Sequence, residues 1–242
     1  MKNLFSSMII AAMVLACIVG TSTKADAAFI AYICSTANCS AGIDLRIADG
    51  GLLDGAPSLA GAIVGVAAAF PGSSFVVNIS QSKPLLGSSP TQPRMDLNFT
   101  ATGHGHVWLY ATDTDFYGGP LLGTIAVGGT ANGGTINVGA WWDSGNGERV
   151  LTTKIASLGP FGGSTPGEFS GKSDPEWMGQ ADAYSLTLFA EINREHQNGE
   201  TTTGNLTFNP SNPVPEPGSM MLLGTGLIGL AGAVRHRMKK QK

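Results

Sequence analysis

The chain has 242 residues, of which 13% are charged, 43% are hydrophobic and 34 are glycine. Its charged share is about half, and its glycine share about twice, that of an average globular protein, which argues against a coiled coil and against a charge-rich disordered chain. The formal net charge is −3, yet residues 28–212 hold seven Lys and Arg against fifteen Asp and Glu, a net of −8. Phosphate neutralisation needs clustered cations, so the acidic body argues against nucleic-acid binding.

Residues 1–27 read as a signal peptide. Lys2 supplies the positive start, and Met8 to Val19 is an unbroken apolar run of 12 residues. Ala25-Asp26-Ala27 is a small-x-small site at which signal peptidase would cut before Ala28. The run falls short of the roughly 20 residues a permanent spanning helix needs. Cys17 suggests a lipoprotein signal as a rival, but the bulky Leu15 fits such a box poorly and the downstream site fits cleavage better.

Residues 28–208 read as one exported all-β domain, an antiparallel β-sandwich or jelly roll. In Met95 to Thr100 the odd positions are apolar and the even ones polar; Leu186, Leu188, Ala190 and Ile192 alternate with Ser185, Thr187, Phe189 and Glu191. Other candidate strands are 29–34, 43–48, 74–81, 106–112, 121–127, 134–142, 149–157 and 201–208. Asn132-Gly133-Gly134 and Asn146-Gly147 are turn signals of the hairpin kind. Leu59 to Phe70 fits either a buried strand or a helix.

Cys34 and Cys39 are the cysteines left after signal removal, and an oxidising compartment favours a disulfide between them. Closing so short a loop stabilises by about 2 kcal/mol in the chain-entropy description. A zinc site would need His104 and His106 as its second half, and nothing in the spacing brings them to the cysteines. Asp113 and Asp115 are expected to share a face at a strand end, and Asp143 and Glu148 to bracket a turn; such acids could attract calcium, although residues 143–148 lack the alternating ligands of an EF-hand loop and solvated acidic turns are the plainer reading. No acid pair stands out as the two carboxyls of a glycosidase. Trp141 and Trp142 are neighbours, so in a strand one points to the core and the other to the surface; Trp108 and Trp177 are further candidates for stacking on a sugar. The expectation is a body with no catalytic residues, no metal and no cofactor.

Residues 209–219 form a proline-rich spacer, read as unable to join a sheet. Residues 220–234 form an apolar, glycine-containing segment, expected as a single hydrophobic transmembrane helix of about 22 Å. Residues 235–242 form a basic tail, in which Arg235, Arg237, Lys239 and Lys240 stop transfer and hold that end on the cytoplasmic side. Val214-Pro215-Glu216-Pro217, then the apolar segment, then the arginine-led end, resembles the PEP-CTERM sorting signal of exported proteins in Gram-negative bacteria. The stretches 80–87, 95–102 and 109–116 resemble the bodies of some such proteins of unassigned function. The resemblance implies an exosortase as partner, a precursor tethered in the inner membrane, and processing at Pro215-Glu216-Pro217. The expected product is a non-catalytic protein of the cell surface or exopolysaccharide matrix; the alternative is a secreted protein that binds or degrades polysaccharide. Prolines on both sides hold Glu216 extended, with few conformations to lose on entering a cleft. Glu216→Ala is therefore expected to leave the chain uncleaved, and a variant running at the processed size on a gel would refute that role.

Overall fold

The computed structural model of the chain describes residues 28–40, 44–70, 73–118, 121–163, 165–178, 182–194 and 201–211. The expected signal peptide, the hydrophobic helix, the basic tail and most of the spacer lie outside the described residues. Among the described residues, no helix is long and apolar enough to cross a membrane.

Among the described residues, thirteen strands form two antiparallel sheets packed as a β-sandwich. The first sheet runs, edge to edge, β2 (Leu45–Ala48), β1 (Ile30–Cys34), β6 (His106–Phe116), β12 (Tyr184–Asn193), β8 (Gly134–Asp143) and β9 (Thr153–Gly163). The second runs β10 (Gly167–Lys172), β7 (Leu121–Ala131), β13 (Thr201–Ser211), β5 (Met95–Gly103), β4 (Ser73–Gln81) and β3 (Ala62–Phe70). A short strand, β11 (Glu176–Met178), also pairs with β7.

Strand alternation builds the core. Successive side chains point to opposite faces, so one apolar phase per strand is enough to fill the interior. Met95, Leu97, Phe99 and Ala101 of β5 meet Leu186, Leu188, Ala190 and Ile192 of β12 within one buried cluster, each at most 1% exposed. Burying each of the larger side chains stabilises by about 1.5–3 kcal/mol. Gly204 of β13 stands opposite Phe99, and a Cβ there would come within 2.4 Å of the Phe99 ring. The glycine thus leaves room for the ring to lie across its neighbouring strand.

Turns and pairings assign every strand end to one of two poles. β5 and β6 are joined by the two residues His104 and Gly105, so the end of β5 and the start of β6 share one pole. The start of β5 and the end of β6 therefore share the other. Ile30 of β1 pairs with Thr112 near the end of β6, and Phe208 of β13 pairs with Met95 at the start of β5. Ala28 and Ser211 consequently leave the sandwich at the same pole, with the Ala28 backbone N–H donating to Thr114 Oγ1 at 3.3 Å. Cys34 and Cys39 are joined by a disulfide at the opposite pole, with Cα atoms 5.0 Å apart.

Several expectations change. Within Leu59 to Phe70, residues Ala62–Phe70 form β3, because its partner β4 offers a sheet edge and its own Ile63, Val66 and Ala68 reach the core. β10 and β11 escape the sequence because glycine and charge carry no period; β10 is an exposed edge strand whose main apolar anchor is Phe169. Asn132-Gly133 does not close a hairpin: β7 and β8 lie in different sheets, and the turn crosses between them. The body extends past the expected limit at 208, since β13 continues through Pro210, which pairs with Gly123 of β7. The proline is tolerated there because pairing with β5 ends at Phe208, leaving one side of β13 with no ladder to complete.

Asp96 sits on the outer face of the second sheet, between Gln81 and Thr207. Burial pushes its carboxyl up to about 6, against a hydrogen bond from Asn205 that lowers it. The folded state therefore favours the protonated acid: its stabilising contribution is complete below the ordinary value near 3.8 and is lost as pH rises through about 6. Asp96→Asn keeps the neutral shape, so thermal unfolding should show a higher midpoint than wild type above pH 7 and no gain below pH 4. Parallel pH profiles for the two proteins would contradict this assignment.

Candidate functional site

The outer face of the first sheet carries its chemistry in cross-strand rows. Trp108 of β6 lies opposite Glu191 of β12, which lies opposite Asn137 of β8. In the next row Arg46, Tyr32, Tyr110, Phe189 and Gly139 follow one another across five strands. Trp141 of β8 stands in the third row, opposite Thr187. This phase of the strands faces away from the core, so aromatic rings here are not needed to fill the interior.

The rings contact one another. Trp108 stacks on His106 with centroids 3.8 Å apart, and Phe189 meets Trp141 edge-on at 5.4 Å and Tyr110 at 5.2 Å. Gly139 is what lets Trp141 lie down: a Cβ on Gly139 would come within 2.7 Å of the indole ring and 3.0 Å of the Ala156 carbonyl oxygen. Polar groups punctuate the face. His106 Nε2 donates to Glu191 Oε1 at 2.9 Å, and Asn137 Nδ2 donates to Glu191 Oε2 at 3.1 Å. The Arg149 guanidinium lies 5.2 Å from the Tyr32 ring and 5.4 Å from the Tyr110 ring, and it donates to the Asn38 carbonyl. Tyr110 itself is nearly covered, its hydroxyl donating to the Ala37 carbonyl at 2.5 Å. Trp108, Trp141 and Phe189 remain half-buried, neither sealed in the core nor fully exposed.

The acid pairs anticipated from sequence serve the loops. Asp143 accepts from Thr152 Oγ1 at 2.6 Å and from the Gly147 N–H at 2.9 Å. Burial pushes its carboxyl up, but these bonds and one from Gly145 outweigh it and hold the group below the usual range. Glu148 makes a two-pronged pair with Arg46, at 2.6 and 2.8 Å. Asp113 and Asp115 are not on one face: Asp115 has a φ of 60° at an irregularity in the β6–β12 register, and its carboxylate accepts from Asn146 Nδ2 while Asp113 is fully buried. Cys34, Cys39 and Asp44 cluster within 4.8 Å, but both sulfurs are committed to the disulfide and Asp44 accepts from the Ser35 N–H and hydroxyl. His104 is exposed in its turn, away from that cluster's ligand set.

The sequence identified Trp108 and the surface member of the Trp141–Trp142 pair; Trp142 packs on the core as the alternative. It missed Phe189, Glu191 and Asn137. The available signal was Phe189 itself, an aromatic in the otherwise polar phase of β12. Trp177 belongs to β11, and its side chain lies outside the described residues. So do Val214, Pro215, Glu216, Pro217, Arg235, Arg237, Lys239 and Lys240; Val214 follows three positions after Ser211 in sequence.

No curated protein matches the chain. A family model described as the PEP-CTERM protein-sorting motif matches residues 213–237, which takes in the Pro-Glu-Pro segment, the apolar stretch, Arg235 and Arg237, and stops short of Lys239 and Lys240. The all-β body is thus followed by a C-terminal PEP-CTERM protein-sorting motif, which supports an exported protein sorted by an exosortase.

Proposed function

We propose that the body is a non-catalytic component of the cell surface or exopolysaccharide matrix, and that it grips polysaccharide through the outer face of the first sheet. The observation that carries this reading is the set of half-buried aromatic side chains Trp108, Trp141 and Phe189 on the outer face, flanked by Glu191, Asn137 and His106. A pyranose offers an apolar C–H face ringed by hydroxyls. Flat rings on a rigid sheet complement the first, and fixed amide, imidazole and carboxylate groups complement the second. Position supports the reading as well. Trp108 pairs with Cys34, at the pole opposite the two chain ends, so membrane tethers at Ala28 and Ser211 would leave this part of the face turned outward.

The carboxylate chemistry favours holding over cutting. Glycoside hydrolysis requires two carboxyls about 5–10 Å apart, one of them able to give up a proton. Glu191 has one oxygen held by His106 and the other by Asn137, which suits an acceptor for sugar hydroxyls. Glu148 and Asp143 are occupied in shaping the β8–β9 loop.

Processed protein purified from its host should bind the host's own exopolysaccharide without releasing reducing ends. Trp108→Ala and Trp141→Ala should each weaken binding about tenfold, corresponding to about 1.4 kcal/mol. Equal binding by wild type and both variants would refute the site; reducing ends lost in Glu191→Gln would favour an enzyme instead. Gly139→Ala should lift the Trp141 indole, seen as a change in tryptophan fluorescence, and weaken binding in step with Trp141→Ala.

A further inference from the structure

Lys83 and Asp113 meet inside the sandwich, at the pole where both chain ends leave. Lys83 follows β4 in the second sheet and Asp113 belongs to β6 in the first, so the pair bridges the two layers. Their side chains are 6% and 0% exposed, and Lys83 Nζ lies 3.4 Å from Asp113 Oδ1. Oδ1 makes no hydrogen bond. Ser82 Oγ donates to Asp113 Oδ2, Lys83 Nζ donates to the Thr114 carbonyl, and the ammonium sits 3.9 Å from the centre of the Phe116 ring. A charged pair in such a place bears a desolvation penalty that mutual attraction offsets only in part.

We propose that Lys83 and Asp113 condense into an intramolecular isopeptide bond that joins the two sheets covalently. A proton first passes from the ammonium to the carboxylate, giving neutral amine and neutral acid. Burial drives both changes: it is the main cause lowering the Lys83 pKa and raising that of Asp113, and it outweighs their mutual attraction in each case. The Nζ lone pair then attacks the Asp113 carboxyl carbon. Charge developing on Oδ2 is met by the Ser82 hydroxyl already aimed at it, and the Thr114 carbonyl holds the amine in place. Oδ1 leaves with two protons as water and the C–N bond of the amide remains. No oxidant, reductant or activating group is consumed. The product removes two charges from the interior and locks β4 to β6 beside Ala28, where the sandwich is tied to its leader.

Protein purified from its host is reduced, digested and sequenced by tandem mass spectrometry. The expected product is a branched peptide containing both Lys83 and Asp113, lighter by one water than the sum of its two parts. Lys83→Arg preserves a long cation but not the amine nucleophile, and should yield only linear peptides; Ser82→Ala should slow the loss of water after refolding. Recovery of Lys83 and Asp113 in separate, unmodified linear peptides from the wild-type protein would overturn the proposal, leaving a buried ion pair.

Discussion

An antiparallel sandwich sends its chain from pole to pole, and that constraint governs where this protein can be held. β10 and β11 both run antiparallel to β7 and occupy successive lengths of it, so together they make a single interrupted pass. The thirteen strands of the described residues therefore amount to twelve alternating passes, an even number, and Ser211 comes back to the pole from which Ala28 sets out. Ala28 and Ser211 are neighbours in this sense because of parity. At roughly 3.4 Å per residue, the eleven residues of β6 put the opposite pole about 35 Å away.

The same alternation that fills the core also writes two different outer faces. On the second sheet the outward phase is Thr, Asn and Ser: Asn78 bridges Asn98 and Thr100, and Thr130 meets Thr203 across a strand pair. On the first sheet the outward phase is aromatic and charged, and the β8–β9 loop lies over part of it through Arg149 and Glu148. A core needs only one phase of each strand, so the other phase is free to carry recognition. The Lys83–Asp113 pair departs from this division, since it places two ionisable groups inside the sandwich, and that departure is what gives it chemical interest.

Much of the architecture was legible in the residues. The period-2 runs at 95–100 and 185–192 lie in central strands, where one buried face forces alternation. The disulfide followed from two cysteines five positions apart in an exported chain. What escaped depends on three-dimensional neighbours. β10 is an exposed edge with too little burial to leave a pattern. Pro210 looked like the end of the body, because nothing local reveals that β5 stops pairing two residues earlier. The aromatic face was legible as single tryptophans but not as a surface, since its rows are assembled from strands distant in sequence. Lys83 and Asp113 are separated by 30 positions, and only the packing of opposite sheets makes them partners.

The central claim is that a sandwich tethered at one pole is exported and cut at the motif just beyond β13. Determining both termini of the protein recovered outside the host cell tests it most directly. The account predicts an amino terminus at Ala28 and a carboxyl terminus within or beside Pro215-Glu216-Pro217. A polypeptide that still extends through Arg235 to Lys242, or one confined to the cytosol, would contradict it.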